Sequence, residues 1–270
     1  YQEELKKQAN MEILKAMLFD ESGLMWVGGS GDGLALLASQ PDFILETYTA
    51  DKPYALSDAM IWSVLATPEG LWLGSSSVMF IAKDTQQAID IQIEGLLSHE
   101  SIYDISEFAD HSLLVSSTSG LFVVDRQTLK GESFAKWING QDEFKNKLVY
   151  RTYVDPQLKG RVWIASSTGL YFWDPDLKAP QAFNMDKPVK GDAEPKRPAI
   201  RTLYRASDGK LWVGGKRVFG YIDEANEFHD QRSLFNGLSA MPTVSHIEEM
   251  SPGGDVVWLL RKGVIRVSPE

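Results

Sequence analysis

The sequence predicts an all-β protein in which a four-stranded antiparallel unit is repeated six times. Each copy has an apolar strand, a turn, a short strand around a tryptophan, a small-residue turn and another apolar strand. The copies fill the 270-residue chain, because their anchor residues recur at intervals of 42 to 49 residues. The anchors are Trp26, Trp72, Leu114, Trp163, Trp212 and Trp258. With no helical pattern long enough to cover a sheet face, the small sheets are expected to pack radially, as the blades of a β-propeller.

The four strands of a copy follow from its local chemistry. The first, as in residues 59–66 and 101–108, mixes β-branched and aromatic residues and ends at a turn signal. The second is the apolar "LWVGG" or "VWIAS" element, and the third is "GLFVVD" or "GLYFWD", closed by an Asp that can form an Asx turn. A weaker fourth strand is predicted in "FILETYT" (43–49) and "ESFAKW" (132–137), where alternation is typical of a half-exposed edge.

The repeated tryptophan has a structural interpretation. A large flat side chain at one place in each copy can fill the gap between adjacent twisted sheets. The residues after it are small, which permits a tight turn and close contact between sheets. They are Gly28, Gly74, Ser116, Ala165 and Gly214. The sixth copy has Leu259 and Leu260 there, so its turn is expected to be distorted.

The unbroken repeat predicts one domain, residues 1–270, although length alone would permit two, and composition excludes several classes of function. An apolar fraction of 43% suffices for a large core, and the most polar stretch, 184–199, is predicted to be an exposed insertion loop. The net charge of −10 argues against nucleic acid and anionic lipid as partners. Because there is no cysteine, disulfides, thiolate nucleophiles and Cys-ligated metals are excluded. No apolar run approaches the roughly 18 residues of a membrane span, so any export or anchor segment of the parent protein is expected outside this sequence.

Catalytic and cofactor motifs are also missing from the sequence. The glycines at 28, 29, 31 and 33 do not have the spacing of a dinucleotide-binding loop, and no G-x-S-x-G is present. "HIEEM" (246–250) ends in Met where a zinc protease needs its second histidine. Asp174 and Asp176 flank a proline in a turn, and Glu248 and Glu249 would point to opposite faces of a strand. We therefore predict no catalytic residue, no metal and no cofactor.

Two copies carry a resemblance to a known family. The form I-x-x-L-x-x-D-x-x-G-x-L-W-V-G-x-x-x-G-L, best seen in residues 14–34 and 200–215, resembles the two-component regulator propeller repeat. "FNGLSAMPTVSHI" (235–247) is similar to the lead-in that precedes that repeat's first strand. The resemblance implies a periplasmic or otherwise extracytoplasmic sensory region, between a signal peptide and a membrane span and upstream of a histidine kinase or diguanylate cyclase. Such propellers are usually seven-bladed, so six anchors imply a six-bladed ring or an incomplete seven-bladed one. Residues 1–14 are expected either to donate a short closing strand or to form a helical lead-in.

A candidate ligand site follows from aligning the first strands of the copies. Their second and third positions combine aromatic side chains with charges of both signs, which suits a sugar-like or amphipathic small molecule in a central funnel. The candidates are Lys15, Trp62, Tyr103, Asp104, Tyr150, Arg151, Arg201 and His246. The alternative is that these side chains plug the channel or pair with one another. A second candidate is the loop set before those strands, with Asp58, His99, Lys147 and the insertion loop.

Three functions remain compatible with this pattern. The first is a non-catalytic sensory domain that passes a binding event to a downstream effector, with a homodimer as one route. The second is a propeller enzyme similar to streptogramin lyase, in which His246 would act with an acidic partner such as Asp104. The third is a protein-interaction scaffold, which would bind a partner protein and no small molecule.

Overall fold

A computed structural model describes residues 14–19, 24–29, 33–37, 44–51, 54–85, 87–185, 197–236, 243–249, 256–260 and 263–267. Within these ranges the chain is almost entirely β-sheet and forms six sheets. It divides into two compact units, Tyr1–Asn146 and Lys147–Glu270.

The first unit holds three sheets, each running through its strands in chain order with antiparallel pairing. The first two sheets are β1 (Leu14–Phe19), β2 (Met25–Gly29), β3 (Leu34–Leu37), β4 (Ile44–Tyr48), then β5 (Ser63–Thr67), β6 (Gly70–Gly74), β7 (Val78–Ala82) and β8 (Ala88–Asp90). The third contains β9 (Gln92–Ile93), β10 (Ile102–Glu107), β11 (Ser112–Ser117), β12 (Leu121–Asp125) and β13 (Lys130–Ser133). Here β9 is the exception, since it pairs in parallel with β13 at the outer edge.

The second unit repeats the same up-and-down order in three further sheets. Their strands are β14 (Val149–Asp155), β15 (Arg161–Ser166), β16 (Gly169–Trp173), β17 (Gln181–Ala182), then β18 (Ile200–Arg205), β19 (Leu211–Gly215), β20 (Phe219–Ile222), β21 (Phe228–Asp230), and β22 (Val244–Glu249), β23 (Val256–Leu260), β24 (Gly263–Val267). Short 3₁₀ helices occupy Pro156–Leu158 and Arg232–Phe235.

The predicted strands agree with these bounds except at two places. The fourth strand predicted over 132–137 is wrong in its second half, because β13 ends at Ser133 and one helical turn, α1 (Phe134–Trp137), follows. Ser133 caps this turn by accepting a hydrogen bond from the Lys136 amide at 3.2 Å, and the turn buries Phe134. The strand predicted over 59–66 begins only at Ser63.

The anchor tryptophans whose side chains the structure describes pack against residues of a neighbouring sheet of the same unit, as predicted, and they are Trp26, Trp72, Trp163 and Trp212. Trp72 is fully buried and packs with Ile105, Leu113 and Phe122 of the third sheet. Trp163, 1% exposed, belongs to a cluster with residues of β18 and β19. Leu114 is fully buried although it lacks a ring. Each of these clusters joins an anchor to residues of the neighbouring sheet. One large side chain per copy is therefore needed to fill the space between two sheets.

Three sequence predictions fall outside the described residues. They are the central part of the insertion loop (186–196), the turn of the sixth copy (261–262) and the closing strand that residues 1–13 could donate.

Candidate functional site

The first strands of successive sheets lie against each other within each unit. In the first unit β1 contacts β5 and β5 contacts β10, and in the second unit β14 contacts β18 and β18 contacts β22. The sheets of a unit therefore converge at their first strands, which are the strands that carry the predicted ligand site.

A β-bulge recurs at one position of these first strands. The register against the second strand shifts between Leu14 and Ala16, and the same shift occurs in four other sheets. The residues that the ladder skips are Lys15, Tyr103, Tyr150, Arg201 and Ser245. In the second sheet the equivalent residue, Trp62, lies just before β5, and its amide donates to the Gly74 carbonyl at 2.8 Å. A β-bulge changes the direction of a side chain. At the equivalent position of each sheet, one residue whose type varies between the copies is therefore directed away from the regular strand pattern.

Three predicted site residues of the first unit are brought together. The Nζ of Lys15 lies 4.3 Å from the centroid of the Trp62 ring, and this ring meets Tyr103 edge-on at 5.3 Å between centroids. Lys15 is exposed, while Trp62 and Tyr103 are half-buried. Asp104, also half-buried, is paired across the ladder with Ser116. The result is a small aromatic platform with a cation over one face.

The second unit combines the same residue types in two pairs. The guanidinium carbon of Arg201 lies 4.8 Å from the centroid of Tyr150, and Arg201 is exposed. Arg151 Nη1 lies 3.4 Å from His246 Nδ1. Because a guanidinium only donates, Nδ1 is the acceptor in this contact. Several of the predicted residues thus contact one another within each unit, and ligand binding at these positions stays a prediction.

Sequence reasoning missed the bulge, although a signal for it exists. In β10, β14 and β22 the buried residues that bracket the bulge are three positions apart, as with Ile102 and Ile105 or Val244 and Ile247. A regular strand would place residues of one face two positions apart. This local change of period marks the skipped residue in the sequence.

Of the second predicted site, the loop set, the structure describes Asp58, His99 and Lys147, and their joint role stays a prediction. Asp58 Oδ1 accepts the Met60 amide at 2.9 Å and Oδ2 accepts the Ser76 amide at 3.1 Å. Burial raises the pKa of Asp58, but these hydrogen bonds outweigh it and leave the pKa below its ordinary value. His99 is exposed and Lys147 is half-buried. The contacts of Asp58 show a loop anchor, which is a structural role.

Three potential metal ligands lie together on the β20–β21 hairpin. Atoms of Asp223, Glu227 and His229 lie within 4.8 Å of one another, a donor set that could hold a divalent cation. His229 Nε2 is 2.7 Å from Asp223 Oδ2, and the imidazole stacks on Tyr221 at 4.8 Å. Asp223 Oδ1 also accepts the Glu227 amide at 2.9 Å. These contacts already account for the cluster as a hairpin turn, and only the D-x3-E-x-H spacing could have indicated it from the sequence.

Comparisons with known proteins show what the chain is similar to. No family model and no curated protein matches it. One similar solved structure is the extracellular domain of a protein assigned to a hybrid two-component system, BT3049 from B. thetaiotaomicron, with 14% identity, a TM-score of 0.71 and coverage of 96% of this chain and 34% of that chain. Another is the corresponding domain of BT4673 from the same organism, with 19% identity, a TM-score of 0.70 and coverage of 95% and 35%. The WD40 β-propeller domain of Doa1 matches with 14% identity, a TM-score of 0.62 and coverage of 94% and 77%.

The fold is a β-propeller. The predicted fold class of four-stranded antiparallel blades is therefore confirmed, and the first strand of each blade is the one that such a fold places next to its axis. The extracellular domains that share the fold come from two-component systems, the class of protein to which the repeat's resemblance pointed. This propeller chain spans about a third of the length of those two domains. In the part of the propeller that the structure describes, no helix has the length and apolar character needed to cross a membrane.

Proposed function

We propose that this propeller is a sensory domain that works outside the cytoplasm, has no catalytic activity of its own and passes ligand binding to an effector module of its parent protein. The repeat's resemblance and the two-component origin of the similar extracellular domains support this proposal. The parent protein would be membrane-anchored, and the effector would be a kinase or a cyclase. A signal requires that the ligand bind two states of the parent protein with different affinities, with a homodimer as one way to provide them.

The recurring bulge is the observation that carries the proposal. A scaffold that needed only packing would gain nothing from an aromatic or cationic side chain at this one position in five of the six blades, the sixth having Ser245 there. Here those positions hold the rings of Trp62, Tyr103 and Tyr150 and the exposed cations Lys15 and Arg201. Because each cation keeps N–H donors beyond its contact with a ring, it can bind ligand oxygens while the ring offers an apolar face. A carbohydrate fits this combination.

A thermal-shift screen against sugars, oligosaccharides, amino acids and small acids tests the proposal. A ligand at about 100 times its Kd should stabilise the protein by roughly 2.7 kcal/mol. We expect the shift to disappear in Trp62→Ala and in Arg201→Ala. The matched controls are Trp137→Ala and Arg217→Ala, which remove the same residue types at exposed positions outside the bulges. Equal shifts in all four variants would place the ligand elsewhere, and no shift from any compound would favour the protein-interaction scaffold.

The lyase-like alternative centres on His246. A catalytic His246 would need an acceptor, usually a carboxylate, to orient one ring nitrogen. The contact that Nδ1 makes at 3.4 Å is with Arg151, which is a donor. Turnover of a bound compound that is abolished in His246→Ala and retained in Ser245→Ala would favour the enzyme over the sensor.

A further inference from the structure

The end of the fifth blade that carries the bulge has an excess of positive charge. Arg201 occupies the bulge, and Lys216 and Arg217 follow β19 in the turn to β20. This turn lies beside the bulge, because the Lys216 amide donates to the Ala199 carbonyl at 3.1 Å. All three cations are exposed, and none makes an ion pair among the described residues. The whole chain has a net charge of −10, so this end of the blade is opposite in sign to the rest.

A carboxylate at the same end of this blade is already neutralised. Asp230 ends β21, and the amide of the next residue, Gln231, donates to the Phe219 carbonyl at 2.9 Å, which places Asp230 where β20 begins. Arg232 Nε lies 2.9 Å from Asp230 Oδ1 and 2.8 Å from Oδ2. Because this pair is neutral overall, it does not offset the three cations, and this end of the blade attracts an anion.

The neighbouring blades of the second unit add hydrogen-bond donors to this group. The guanidinium of Arg201 lies over the ring of Tyr150, and Arg151, the next residue on β14, extends to His246 on β22. Since β18 contacts both β14 and β22, this contact crosses the strand that carries Arg201. Nδ1 of His246 is the acceptor, so the neutral imidazole carries its proton on Nε2. No carboxylate occurs at the bulge positions of this unit or directly after them, which are residues 150–151, 201–202 and 245–246.

A neutral sugar and an acidic sugar would interact differently with these side chains. A sugar hydroxyl both donates and accepts, so a site for a neutral sugar gains from acceptors placed beside its donors. Guanidinium and ammonium groups only donate. The planar guanidinium matches the two oxygens of an anionic group and can bind both in parallel. The side chains of the second unit therefore favour a ligand with an anionic group over one that carries hydroxyls alone.

We propose that the bulge site of the second unit binds an acidic sugar, a pyranose that carries a carboxylate or a sulfate group. Arg201 binds the anionic group, Lys216 adds positive charge beside it, and the pyranose packs beside the ring of Tyr150. This proposal rests on the proposed sensory function and narrows its ligand class. The sensory function requires only that a ligand binds, whereas this proposal requires the anionic group.

NMR titration of the 270-residue protein with four related sugars tests the proposal. Galacturonic acid carries a carboxylate at C6, its methyl ester carries the same group without the charge, galactose 6-sulfate carries a sulfate there, and galactose is neutral. We expect at least one of the two acids to bind about tenfold more tightly than the ester and galactose, because a charge-assisted hydrogen bond is added. The backbone amide signals of Arg201 and Lys216 should shift, and the tighter acid identifies the anion. Equal binding of acidic and neutral sugars would overturn the proposal and leave the sensory function standing.

Two variants of the fifth blade separate a direct contact from general attraction of charge. Arg201→Gln should reduce the preference for the tighter acid over the methyl ester to less than about twofold, because the direct bonds are lost. Arg217→Gln removes the same charge from the turn between β19 and β20, outside the bulge, and should leave the preference at about fivefold or more. Both arginines are exposed, so both variants are expected to fold. Equal reductions in the two variants would overturn Arg201 as the contact of the anionic group.

Two further results keep this proposal distinct from the sensory function. Acetate should bind at least about tenfold more weakly than the tighter acid, because it lacks the pyranose. Acetate that binds equally well would show a simple anion site and overturn the acidic sugar. If none of the four sugars binds, the acidic-sugar proposal fails, whereas the sensory function fails only if no compound of the thermal-shift screen binds.

Discussion

At the scale of single residues, the small residue after each anchor determines how closely neighbouring blades approach. A Cβ added at Gly28 would lie 2.8 Å from Ile61 Cγ2, and one added at Gly214 would lie 2.8 Å from Val244 Cγ1. Val244 is the first residue of the next blade's first strand, and Ile61 lies two residues before the next blade's first strand. The apolar residue at or just before the start of that strand therefore occupies the space that a larger residue would need.

Gly74→Val should destabilise the protein for this reason. A Cβ at Gly74 would lie 2.2 Å from Ser63 Oγ and 2.8 Å from the Ile102 carbonyl oxygen, and a backbone atom cannot easily move away. We expect a loss of about 1–3 kcal/mol in the free energy of unfolding, measured by urea denaturation. The control is Ser116→Ala at the equivalent place in the third blade, where a Cβ is already accommodated and the buried hydroxyl has no hydrogen-bond partner among the described residues. A similar loss in both variants would contradict the close-approach explanation.

The Asp155–Arg205 pair gives a second prediction at this scale. Asp155 is fully buried and also accepts from the Gln157 amide at 3.0 Å and from Trp163 Nε1 at 3.4 Å. Asp155→Ala leaves the guanidinium without its counter-charge, so the free energy of unfolding should fall by about 3–5 kcal/mol. The double variant Asp155→Leu with Arg205→Met should be more stable than Asp155→Ala, because no buried charge remains. Chemical denaturation of both variants checks this, and a single variant that costs less than about 1 kcal/mol would argue against it.

At the scale of elements, polar side chains join the segment before β5 to neighbouring loops. Asp58 accepts amides from Met60 and Ser76, while Ser57 and Ser77 both donate to Asp90 Oδ1 at 2.8 Å. These bonds hold the chain as it passes from the outer strand of one blade to the first strand of the next. They also position Trp62, which follows four residues after Asp58.

The carboxylate of Asp58 makes this connection sensitive to acid. Its pKa in the folded protein lies below the ordinary value of 3.8, so it stabilises the fold above that pH, and the contribution is lost as the pH falls through the folded pKa. Asp58→Asn should therefore be less stable than the parent protein at pH 7, and the difference should shrink as the pH falls below about 4. Asp51→Asn, which changes an exposed carboxylate on the preceding loop, is the control. Unfolding free energies of the three proteins across this pH range test the prediction, and a difference that does not shrink with falling pH would contradict it.

At the scale of the whole molecule, the single-domain organisation of residues 1–270 stays a prediction. The regular interval between anchors, without a linker of biased composition, favours one cooperative structure. We expect unfolding curves from tryptophan fluorescence and far-ultraviolet circular dichroism to coincide, since all six copies would unfold together. Two separated transitions would show instead that Tyr1–Asn146 and Lys147–Glu270 unfold independently.

Much of the fold could be predicted because its signals are local. Strand propensity, turn residues and the recurring tryptophan act over a few neighbouring positions, so the sequence identified β4 over 43–49 and the anchors such as Trp72 and Trp163. At 132–137 local alternation was misleading. There the cap supplied by Ser133 and the burial of Phe134 favoured a helical turn over a continued strand.

The sequence by itself determined the β-propeller blades, the residues that fill the spaces between them and the set of first-strand residues that could bind a ligand. Only the tertiary structure decided which of those residues contact one another, because the contacts form between side chains from different blades of a unit. It placed Lys15 over Trp62, turned His246 toward Arg151 and skipped one residue at each bulge. Such contacts join residues that are tens of positions apart, and local sequence patterns carry no information about their distance or orientation.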